Sequence, residues 1–168
     1  MGWLMPDYMF DHYYDITPAF LADAGIRALL IDIDNTLAPY EMPEPDEQII
    51  RWLGQLADAG VKAALVSNNH ADRITLFNQK LGLPVFPDSH KPFAKHLKIA
   101  MRQLGVTKEE TAVLGDQLLT DALAGKHIGL KAIIVPPIKD KTTLFFRFKR
   151  WLEKPVIRRY KRKHQKGD

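Results

Sequence analysis

Short apolar runs alternate with segments of helical periodicity along most of the chain. Consecutive apolar residues bounded by turn residues are typical of buried β-strands, whereas apolar residues at every third or fourth position indicate amphipathic helices. The pattern predicts strands at residues 28–33, 61–66, 85–86, 111–114 and 131–135. It predicts helices at residues 46–59, 71–81, 92–104 and 118–124. The first twenty-odd residues show neither pattern, and we expect an irregular segment that packs on the core.

This alternation of strands and helices defines the expected fold class. Strands that are apolar throughout, rather than at alternate residues, are typical of parallel sheets covered by helices on both faces. The sequence therefore predicts an α/β fold with a doubly wound parallel sheet of about five strands. In such sheets ligands bind beyond the carboxyl ends of the strands, so the polar residues that end each strand are the first candidates for a site.

Composition indicates the size of the domain and excludes some chemistry. The chain has 168 residues, of which 46% are hydrophobic and 26% are charged, as in one globular domain with a substantial core. It contains no cysteine, which excludes disulfides, thiolate metal sites and cysteine nucleophiles. Residues 1–15 include no lysine or arginine, and the apolar run at 132–138 is far shorter than a membrane span. We therefore expect a cytoplasmic protein that does not cross a bilayer.

The positive charge is concentrated at the end of the chain. Residues 139–168 hold 12 of the 24 lysines and arginines but only three of the 20 acidic residues, a net charge of +9, while residues 1–138 carry −5. We therefore predict a globular domain at 1–138 and a basic amphipathic segment at 139–168. Basic blocks of this kind bind polyanions such as nucleic acid or an anionic membrane surface. The alternative is a solvated, partly disordered tail.

Polar side chains of a few kinds follow nearly every predicted strand. Asp32 and Asp34 end the first strand, and the alternation of side chains along a strand places them on the same side. The later strand ends supply a hydroxyl, an amide, an ammonium group and two more acids: Ser67, Asn68, Lys91, Asp116 and Asp121. Because parallel strands bring their carboxyl ends to one edge of the sheet, we expect these groups to form a single site.

This set of side chains suits phosphoryl transfer. Mg²⁺ takes one or two carboxylates together with water and substrate phosphate, a role that fits Asp32 and Asp116. A carboxylate can also attack phosphorus and form an aspartyl-phosphate. Lys91 and Ser67 are then candidates for holding the phosphoryl oxygens. The alternative for a single acid is turn or capping chemistry, and Asp46 fits a helix N-cap better than a ligand.

Four short motifs, in this order, resemble those of the haloacid dehalogenase (HAD) superfamily: DIDNT at 32–36, VSNN at 66–69, KP at 91–92 and GDQLLTD at 115–121. The resemblance implies that Asp32 is the nucleophile and that Asp34 is the general acid and base. An acid two residues after the nucleophile is the phosphatase pattern of this superfamily. The other implied roles are phosphate binding by Ser67, Asn68 and Lys91, Mg²⁺ binding by Asp32, Asp116 and the main chain of Asp34, and support from Asp121.

The spacing of the motifs bears on the substrate. The 35 positions from Asp32 to Ser67 and the 24 from Ser67 to Lys91 leave no room for the cap domain that many members of this superfamily insert. We expect a capless, open site, shielded by the loop at 37–45 or by another subunit. An open site favours a substrate too large to enclose, such as a lipid head group, a protein or a nucleic acid end. Closure of an oligomer over a small sugar is the alternative.

The basic segment contains an apolar pattern as well. A helix over residues 142–153 would place Leu144, Phe148, Trp151 and Leu152 on one face, with cations off that stripe, as in helices that lie in a membrane interface. The alternative is that this face packs on the core of the domain. The predicted helix stops at residue 153, and after Pro155 a polybasic run follows at 158–163.

The whole chain also resembles the YqeG family of HAD subfamily IIIA, through its capless core, the LLIDIDNTL segment at 29–37 and the second and fourth motifs. That family is similar to mitochondrial phosphatidylglycerophosphate phosphatases. The resemblance implies Mg²⁺-dependent hydrolysis of phosphatidylglycerophosphate to phosphatidylglycerol, a step of phospholipid biosynthesis, at the inner face of a membrane. The alternatives are a phosphatase for a soluble phosphosugar or nucleotide, and an RNA- or ribosome-associated binding protein.

Overall fold

A six-stranded parallel β-sheet forms the centre of the protein. The computed structural model describes residues 4–139 and the backbone of residues 144–165, with side chains for residues 150–164 of that last segment. The strands are β1 (Tyr8–Met9), β2 (Ala28–Ile31), β3 (Lys62–Val66), β4 (Val85–Phe86), β5 (Thr111–Gly115) and β6 (Lys131–Ile134). Their order across the sheet is β1-β6-β5-β2-β3-β4, and each neighbouring pair is parallel. The predicted doubly wound α/β class is confirmed.

Helices cover both faces of this sheet. They are α1 (Pro18–Asp23), α2 (Glu47–Asp58), α3 (Ala71–Asn78), α4 (Lys95–Leu104), α5 (Leu123–His127) and α6 (Leu144–Gln165), with a π-helical turn at Leu118–Ala122. All four residues of β2 are buried. Leu29 and Ile31 belong to one apolar cluster and Leu30 belongs to a second one, because successive side chains point to opposite faces. Burial on both faces explains why the predicted strands are runs of consecutive apolar residues.

The sheet has six strands where the sequence predicts about five. Strand β1 pairs in parallel with β6, with Tyr8 opposite Ile133 and Met9 opposite Ile134. Residues 8–9 belong to a segment without an apolar run or a helical periodicity, so the sequence predicts only an irregular segment here. The hydroxyl of Tyr160 also accepts a hydrogen bond from the main-chain N of Met9 at 3.0 Å. The early part of the chain is therefore held by β6 and by the C-terminal helix.

The starts of two helices differ in how well the sequence predicts them. The Asp46 side chain accepts a hydrogen bond from a main-chain N–H in the first turn of α2 at 2.9 Å, so its N-cap role is confirmed. Helix α4 begins at Lys95, three residues after the predicted start at Pro92. The side chain of Asn68 instead holds the preceding segment, donating to Lys91 O at 3.1 Å and accepting from Lys91 N at 2.8 Å. These two hydrogen bonds keep Lys91 at the carboxyl edge of the sheet.

The C-terminal helix α6 continues through Pro155, whereas the sequence predicts a helix that ends before it. One face of α6 packs on the domain: Val156 belongs to the second apolar cluster, and Glu153 and Tyr160 are buried beside it. Pro155 cannot donate a hydrogen bond to the main-chain oxygen of Trp151. The packing of Glu153, Val156 and Tyr160 on the domain sustains the helix through Pro155.

The apolar stripe predicted for this helix lies only partly within the described residues. The side chains of Leu144 and Phe148 lie outside them. Trp151 is 63% exposed and Leu152 is 43% exposed, whereas Glu153, Val156 and Tyr160 of the same helix are buried. None of the helices in the described part of the chain combines the length and the hydropathy needed to cross a bilayer.

Candidate active site

A pocket of about 270 Å³ opens at the carboxyl edge of the sheet. Its lining includes six of the seven side chains expected to form the site: Asp32, Asp34, Ser67, Asn68, Lys91 and Asp121. The seventh, Asp116, is buried, and its carboxylate lies in one cluster with those of Asp32 and Asp121. The structure therefore brings all seven residues together at the edge where the sequence predicts them.

Lys91 lies at the centre of the polar contacts. Its Nζ donates to Asp32 Oδ1 at 3.0 Å, to Asp121 Oδ1 at 2.6 Å and to the main-chain oxygen of Val66 at 2.9 Å. These three acceptors match the three N–H donors of an ammonium group. Burial lowers the pKa of Lys91, but the carboxylates of Asp121 and Asp32 outweigh burial and raise the pKa above its ordinary value. A charged ammonium group is therefore fixed beside Asp32.

Three acids share this part of the site, of which Asp116 and Asp121 are buried and Asp32 is partly buried. Asp32, Asp116 and Asp121 each have an oxygen within 4.8 Å of the others. Burial, opposed by Lys91 and assisted by Asp121, raises the pKa of Asp32 to about 7. Burial also raises the pKa of Asp116 well above its ordinary value, and Asp121 and Asp32 add to that rise. Carboxylates this close repel one another unless a proton or a cation lies between them.

The donor set fits a hard divalent cation. Among the residues that the structure describes, these three acids are the one group of possible ligands close enough to share an ion. Their donor atoms are all carboxylate oxygens, which Mg²⁺ and similar cations prefer. The Thr36 hydroxyl lies 3.2 Å from Asp32 Oδ2 and 3.3 Å from Asp116 Oδ1. Asp32 and Asp116 therefore each have an oxygen next to the Thr36 hydroxyl, while Lys91 donates to Asp32 and Asp121.

Two residues that the sequence analysis does not identify hold the carboxylate of Asp34. Asn69 Nδ2 donates to Asp34 Oδ2 at 3.0 Å. Arg73 donates to Asp34 Oδ1 from Nη2 at 3.1 Å and from Nε at 3.4 Å, and the side chains of this ion pair are each 14% exposed. The Asp34 carboxylate is therefore held in one orientation, and it is not part of the three-acid cluster.

Arg73 also fixes the loop at 37–45. Its guanidinium donates to the main-chain oxygens of Met42 and Pro39, in the latter case at 3.4 Å. Tyr40, from the same loop, lines the pocket. The sequence signal for Arg73 is its place one turn after Asn69, at the start of the helix that follows the second motif.

Two residues of the second motif, Ser67 and Asn68, make different contacts at the site. Ser67 Oγ accepts a hydrogen bond from Asn69 N at 3.1 Å and lines the pocket, so its own hydroxyl proton can be donated to a ligand there. The side-chain amide of Asn68 holds both main-chain polar groups of Lys91. Asn68 is therefore a positioning residue for Lys91, and its phosphate-binding role stays a prediction.

The C-terminal helix reaches the fourth motif. Arg150 Nη2 lies 3.4 Å from Asp116 Oδ2 and 3.4 Å from the main-chain oxygen of Asp116. Glu153 Oε1 accepts a hydrogen bond from Leu119 N at 3.2 Å. Both contacts join residues 34 positions apart, and no local sequence pattern indicates them.

Comparison with known proteins agrees with this geometry. A family model described as HAD-hydrolase-like matches residues 89–141, which contain the third and fourth motifs. The protein named "Probable phosphatase YqeG" from Bacillus subtilis strain 168 is 34% identical over 159 residues, which cover 95% of this chain and 92% of that protein.

Two solved structures share the fold. An uncharacterized protein from Listeria monocytogenes serotype 4b has a TM-score of 0.55 and 16% identity, over 70% of this chain and 85% of that one. A proposed HAD superfamily (subfamily III A) hydrolase from Legionella pneumophila has a TM-score of 0.51 and 21% identity, over 69% of this chain and 70% of that one. At these identities the likeness shows the fold alone.

The parallel sheet, the acids at its carboxyl edge and these matches together define a HAD-type phosphatase. Within that superfamily the chain belongs to the YqeG family, because its identity to the Bacillus subtilis protein extends over nearly the whole length of both. The family resemblance inferred from the four motifs is thereby confirmed, together with the class of enzyme.

Proposed function

We propose that the protein is a Mg²⁺-dependent phosphatase that hydrolyses a phosphate monoester through an aspartyl-phosphate on Asp32. One observation carries the proposal: Asp32 lines the open pocket, and its Oδ1 accepts a hydrogen bond from the buried ammonium group of Lys91. Such a carboxylate is accessible to phosphorus and lies next to a fixed cation that can balance phosphoryl charge. The substrate that we propose is phosphatidylglycerophosphate, with phosphatidylglycerol as the product.

In the first step an oxygen of Asp32 attacks phosphorus, and the bond between phosphorus and the leaving oxygen breaks. Asp34 gives its proton to that oxygen, so the alcohol leaves uncharged. Lys91 balances the negative charge on the phosphoryl oxygens. Asn69 and Arg73 hold the carboxyl group of Asp34 in one orientation.

In the second step a water molecule gives a proton to the Asp34 carboxylate and attacks the phosphorus of the aspartyl-phosphate. The bond between phosphorus and the Asp32 oxygen breaks, which releases inorganic phosphate and restores the Asp32 carboxylate. Asp34 ends the cycle protonated and ready for the next leaving group. The Ser67 hydroxyl donates to a phosphoryl oxygen in both steps.

Asp32 and Asp116 are the side chains that we propose to hold Mg²⁺, with the main chain of Asp34 as a further ligand and Asp121 as a support for Lys91. The bound cation neutralises charge on the phosphoryl oxygens. The raised pKa values of Asp32 and Asp116 support this assignment, because a cation offsets the cost of burying these charges close together.

The shape of the site supports a large substrate. Between Asp32 and Ser67 the chain holds the loop at 37–45, α2 and β3, and between Ser67 and Lys91 it holds α3 and β4. Residues 32–91 are all described, and no cap domain occurs among them. A lipid head group can enter such a pocket while its acyl chains stay in the bilayer.

The exposed side of α6 supports a location at a membrane surface. Trp151 and Leu152 are exposed there. Five cations of the polybasic run are exposed as well: Arg158, Arg159, Lys161, Arg162 and Lys163. Each cation near an anionic surface contributes about 1 kcal/mol, and exposed aromatic residues suit the interface. We propose a cytoplasmic enzyme that binds peripherally to the inner face of the membrane through this side of α6.

The enzymatic proposal is tested by assaying wild type and Asp32→Asn with Mg²⁺ or excess EDTA. The substrates are phosphatidylglycerophosphate in mixed micelles, soluble phosphosugars, nucleotides and an aryl phosphate. We expect the lipid to be preferred, EDTA to abolish activity, and Asp32→Asn to lose more than about 1,000-fold in kcat. Turnover that persists in Asp32→Asn would remove this residue as the nucleophile.

Two other outcomes separate the alternatives. A preference for a phosphosugar or a nucleotide would keep the enzyme and replace the lipid substrate. Salt-sensitive RNA binding that survives Asp32→Asn, in a protein without phosphatase activity, would favour the RNA- or ribosome-associated alternative.

The membrane proposal is tested by co-sedimentation with anionic and neutral vesicles at low and high salt. Arg158→Glu with Arg162→Glu is compared with Arg51→Glu and Lys98→Glu, a matched pair of exposed cations on other helices. We expect only the pair on α6 to reduce sedimentation with anionic vesicles, and high salt to reduce it in the wild type. Equal sedimentation of the two double variants would refute this surface.

A further inference from the structure

The two carboxylate oxygens of Asp116 are held by groups from distant parts of the chain. Oδ1 accepts a hydrogen bond from the Thr36 hydroxyl, which also lies 3.2 Å from Asp32 Oδ2. Oδ2 lies 3.4 Å from Arg150 Nη2, and the same nitrogen lies 3.4 Å from the main-chain oxygen of Asp116. One oxygen therefore faces the nucleophile and the other faces α6.

Arg150 is itself held in place. Its Nη1 lies 3.5 Å from Glu153 Oε2, and the Glu153 side chain is only 2% exposed. The other oxygen of Glu153 accepts the hydrogen bond from Leu119 N, in the π-helical turn after Asp116. A buried carboxylate needs a compensating cation, which Arg150 supplies. Helix α6 is thus bonded both to the acid of the fourth motif and to the turn that follows it.

The charges around Asp116 favour a second cation at this position. The carboxylates of Asp32, Asp116 and Asp121 lie around the ammonium group of Lys91. Arg150 adds a guanidinium, which stays charged at any relevant pH and has donors in a fixed planar arrangement. An arginine can therefore hold one carboxylate oxygen in place without blocking the other one.

We propose that Arg150 is a positioning residue for Asp116. Helix α6 then contributes to the active site through Arg150, in addition to its proposed role in binding the membrane surface. By holding Oδ2, Arg150 directs Oδ1 toward Asp32, so that the two carboxylates could bind one cation together. The inference rests on the proposed function of Asp116 as a metal ligand. Residues that orient metal ligands change metal affinity or activity by about 10–100-fold.

The test compares Arg150→Ala and Arg150→Lys with Lys154→Ala, which removes an exposed cation one turn further along α6. Mg²⁺ affinity is measured by calorimetry without substrate, and kcat and KM for a soluble aryl phosphate are measured over a range of Mg²⁺ concentrations. We expect Arg150→Ala to bind Mg²⁺ about 10–100-fold more weakly and to lose kcat, while KM for the ester changes little at saturating Mg²⁺. Arg150→Lys should recover part of the affinity, and Lys154→Ala should match the wild type.

Glu153→Gln is the second variant, because it keeps an acceptor for Leu119 N but removes the charge that holds Arg150. We expect it to weaken Mg²⁺ binding by less than Arg150→Ala does. Unchanged Mg²⁺ affinity in folded Arg150→Ala overturns the inference. Tighter Mg²⁺ binding overturns it too, because Arg150 would then compete with the cation.

Two further controls distinguish a failure of this inference from a failure to fold and from a failure of the proposed function. If Arg150→Ala fails to fold, Arg150→Lys and Glu153→Gln are judged by the same criterion. A wild-type protein that neither binds Mg²⁺ nor hydrolyses the ester rejects the proposed function, and this inference with it. A Mg²⁺-dependent wild type whose Arg150 variants behave like Lys154→Ala rejects the inference alone.

Discussion

Gly115 and Asp121 approach each other so closely that no side chain fits between them. A Cβ added at Gly115 would lie 2.1 Å from Asp121 Cγ and 2.3 Å from Asp121 Oδ2. Gly115 ends β5, and Asp121 folds back over it from the π-helical turn, where Gln117 N donates to Asp121 Oδ2 at 3.2 Å. Glycine at this position therefore lets Asp121 reach Lys91.

Gly115→Ala should disturb the site through this contact. The added methyl group must displace Asp121, and Lys91 then loses its closest carboxylate partner. We expect the free energy of unfolding to fall by about 1–3 kcal/mol, as for other overpacked interiors. We expect kcat/KM for a soluble ester to fall by about 100-fold, because small displacements of catalytic groups are costly. Urea unfolding and steady-state kinetics measure the two effects.

Gly125→Ala is the matched control for overpacking. A Cβ at Gly125 would lie 2.6 Å from a methyl carbon of Val113, in the apolar core rather than among the acids. This variant should lose comparable stability but keep the kcat/KM of its folded fraction. If Gly115→Ala also keeps its kcat/KM while folded, the close approach to Asp121 does not matter for catalysis.

Arg73→Ala should impair proton transfer more than substrate binding. Without Arg73 the Asp34 carboxyl group loses its ion pair and much of its fixed orientation. General acid catalysis matters most for basic leaving groups, so an alkyl phosphate should lose more in kcat than an aryl phosphate. We expect a loss of about 10–100-fold for the alkyl ester, with a smaller change in KM.

Lys80→Ala separates the effect of Arg73 on Asp34 from its effect on the loop at 37–45. Lys80 pairs with Glu44 of that loop at 3.0 Å, and both side chains are largely exposed. The Lys80 variant should leave the ratio of alkyl to aryl activity unchanged. Equal losses on both esters in Arg73→Ala would indicate that Arg73 acts through the loop and not through Asp34.

The raised pKa of Asp32 predicts a pH-dependent stability. Below about pH 4 the group is protonated in both the folded and the unfolded chain, so it has no effect. As the pH rises, the unfolded chain releases this proton first, while the folded protein keeps it until its pKa of about 7. The free energy of unfolding therefore falls as the pH rises from about 4 to about 7, and it changes no further through this group above pH 7.

The free energy of unfolding in EDTA should accordingly fall between pH 5 and pH 7.5, and should fall less in Asp32→Asn. The expected difference between the two proteins is on the order of 2 kcal/mol. Mg²⁺ at pH 7.5 should stabilise the wild type more than the variant, because a cation offsets the buried charge. Parallel stability profiles for the two proteins would show that Asp32 titrates normally in the fold.

The strand ends were predictable because they depend on local pattern and simple topology. Consecutive apolar residues mark β2 and β5, and parallel strands bring their carboxyl ends to one edge, so Asp32 and Asp116 were expected in one site. The structure adds that β2 and β5 are direct neighbours. The observed strand β2 ends at Ile31, two residues before the predicted end at residue 33. The main chain turns at Asn35, with φ of 62°, and the main-chain oxygen of Ile33 accepts from Thr36 N in that turn.

The positioning residues could not be predicted in the same way. Asn68 holds Lys91, Arg73 holds Asp34 and Arg150 contacts Asp116 across separations of 23, 39 and 34 positions. An arginine on a helix surface is usually solvated, and the place of Arg73 one turn after Asn69 does not by itself indicate an ion pair with Asp34. Such contacts follow from how the helices pack on the sheet, which the sequence pattern does not specify.

The contacts of helix α6 with the domain were not predicted from the sequence either, and they change the expected effect of truncation. The charge pattern alone predicts that a protein without the basic segment still hydrolyses a soluble ester. In the structure Val156 and Tyr160 are buried, and the Tyr160 hydroxyl holds the main chain of β1 at Met9. A chain that ends at residue 139 should therefore be less stable and less active on soluble esters as well.

Point variants separate the two faces of α6 more cleanly than truncation does. Val156 is 6% exposed in the second apolar cluster, so Val156→Ala should lower the free energy of unfolding by about 1–3 kcal/mol without changing vesicle binding by the folded protein. Trp151 is 63% exposed, so Trp151→Ala should leave stability within about 0.5 kcal/mol but weaken binding to anionic vesicles. Urea unfolding and vesicle co-sedimentation of both variants check the pair. If Trp151→Ala destabilises the domain while vesicle binding is unchanged, the outer face of α6 serves folding, and the membrane surface must be sought elsewhere.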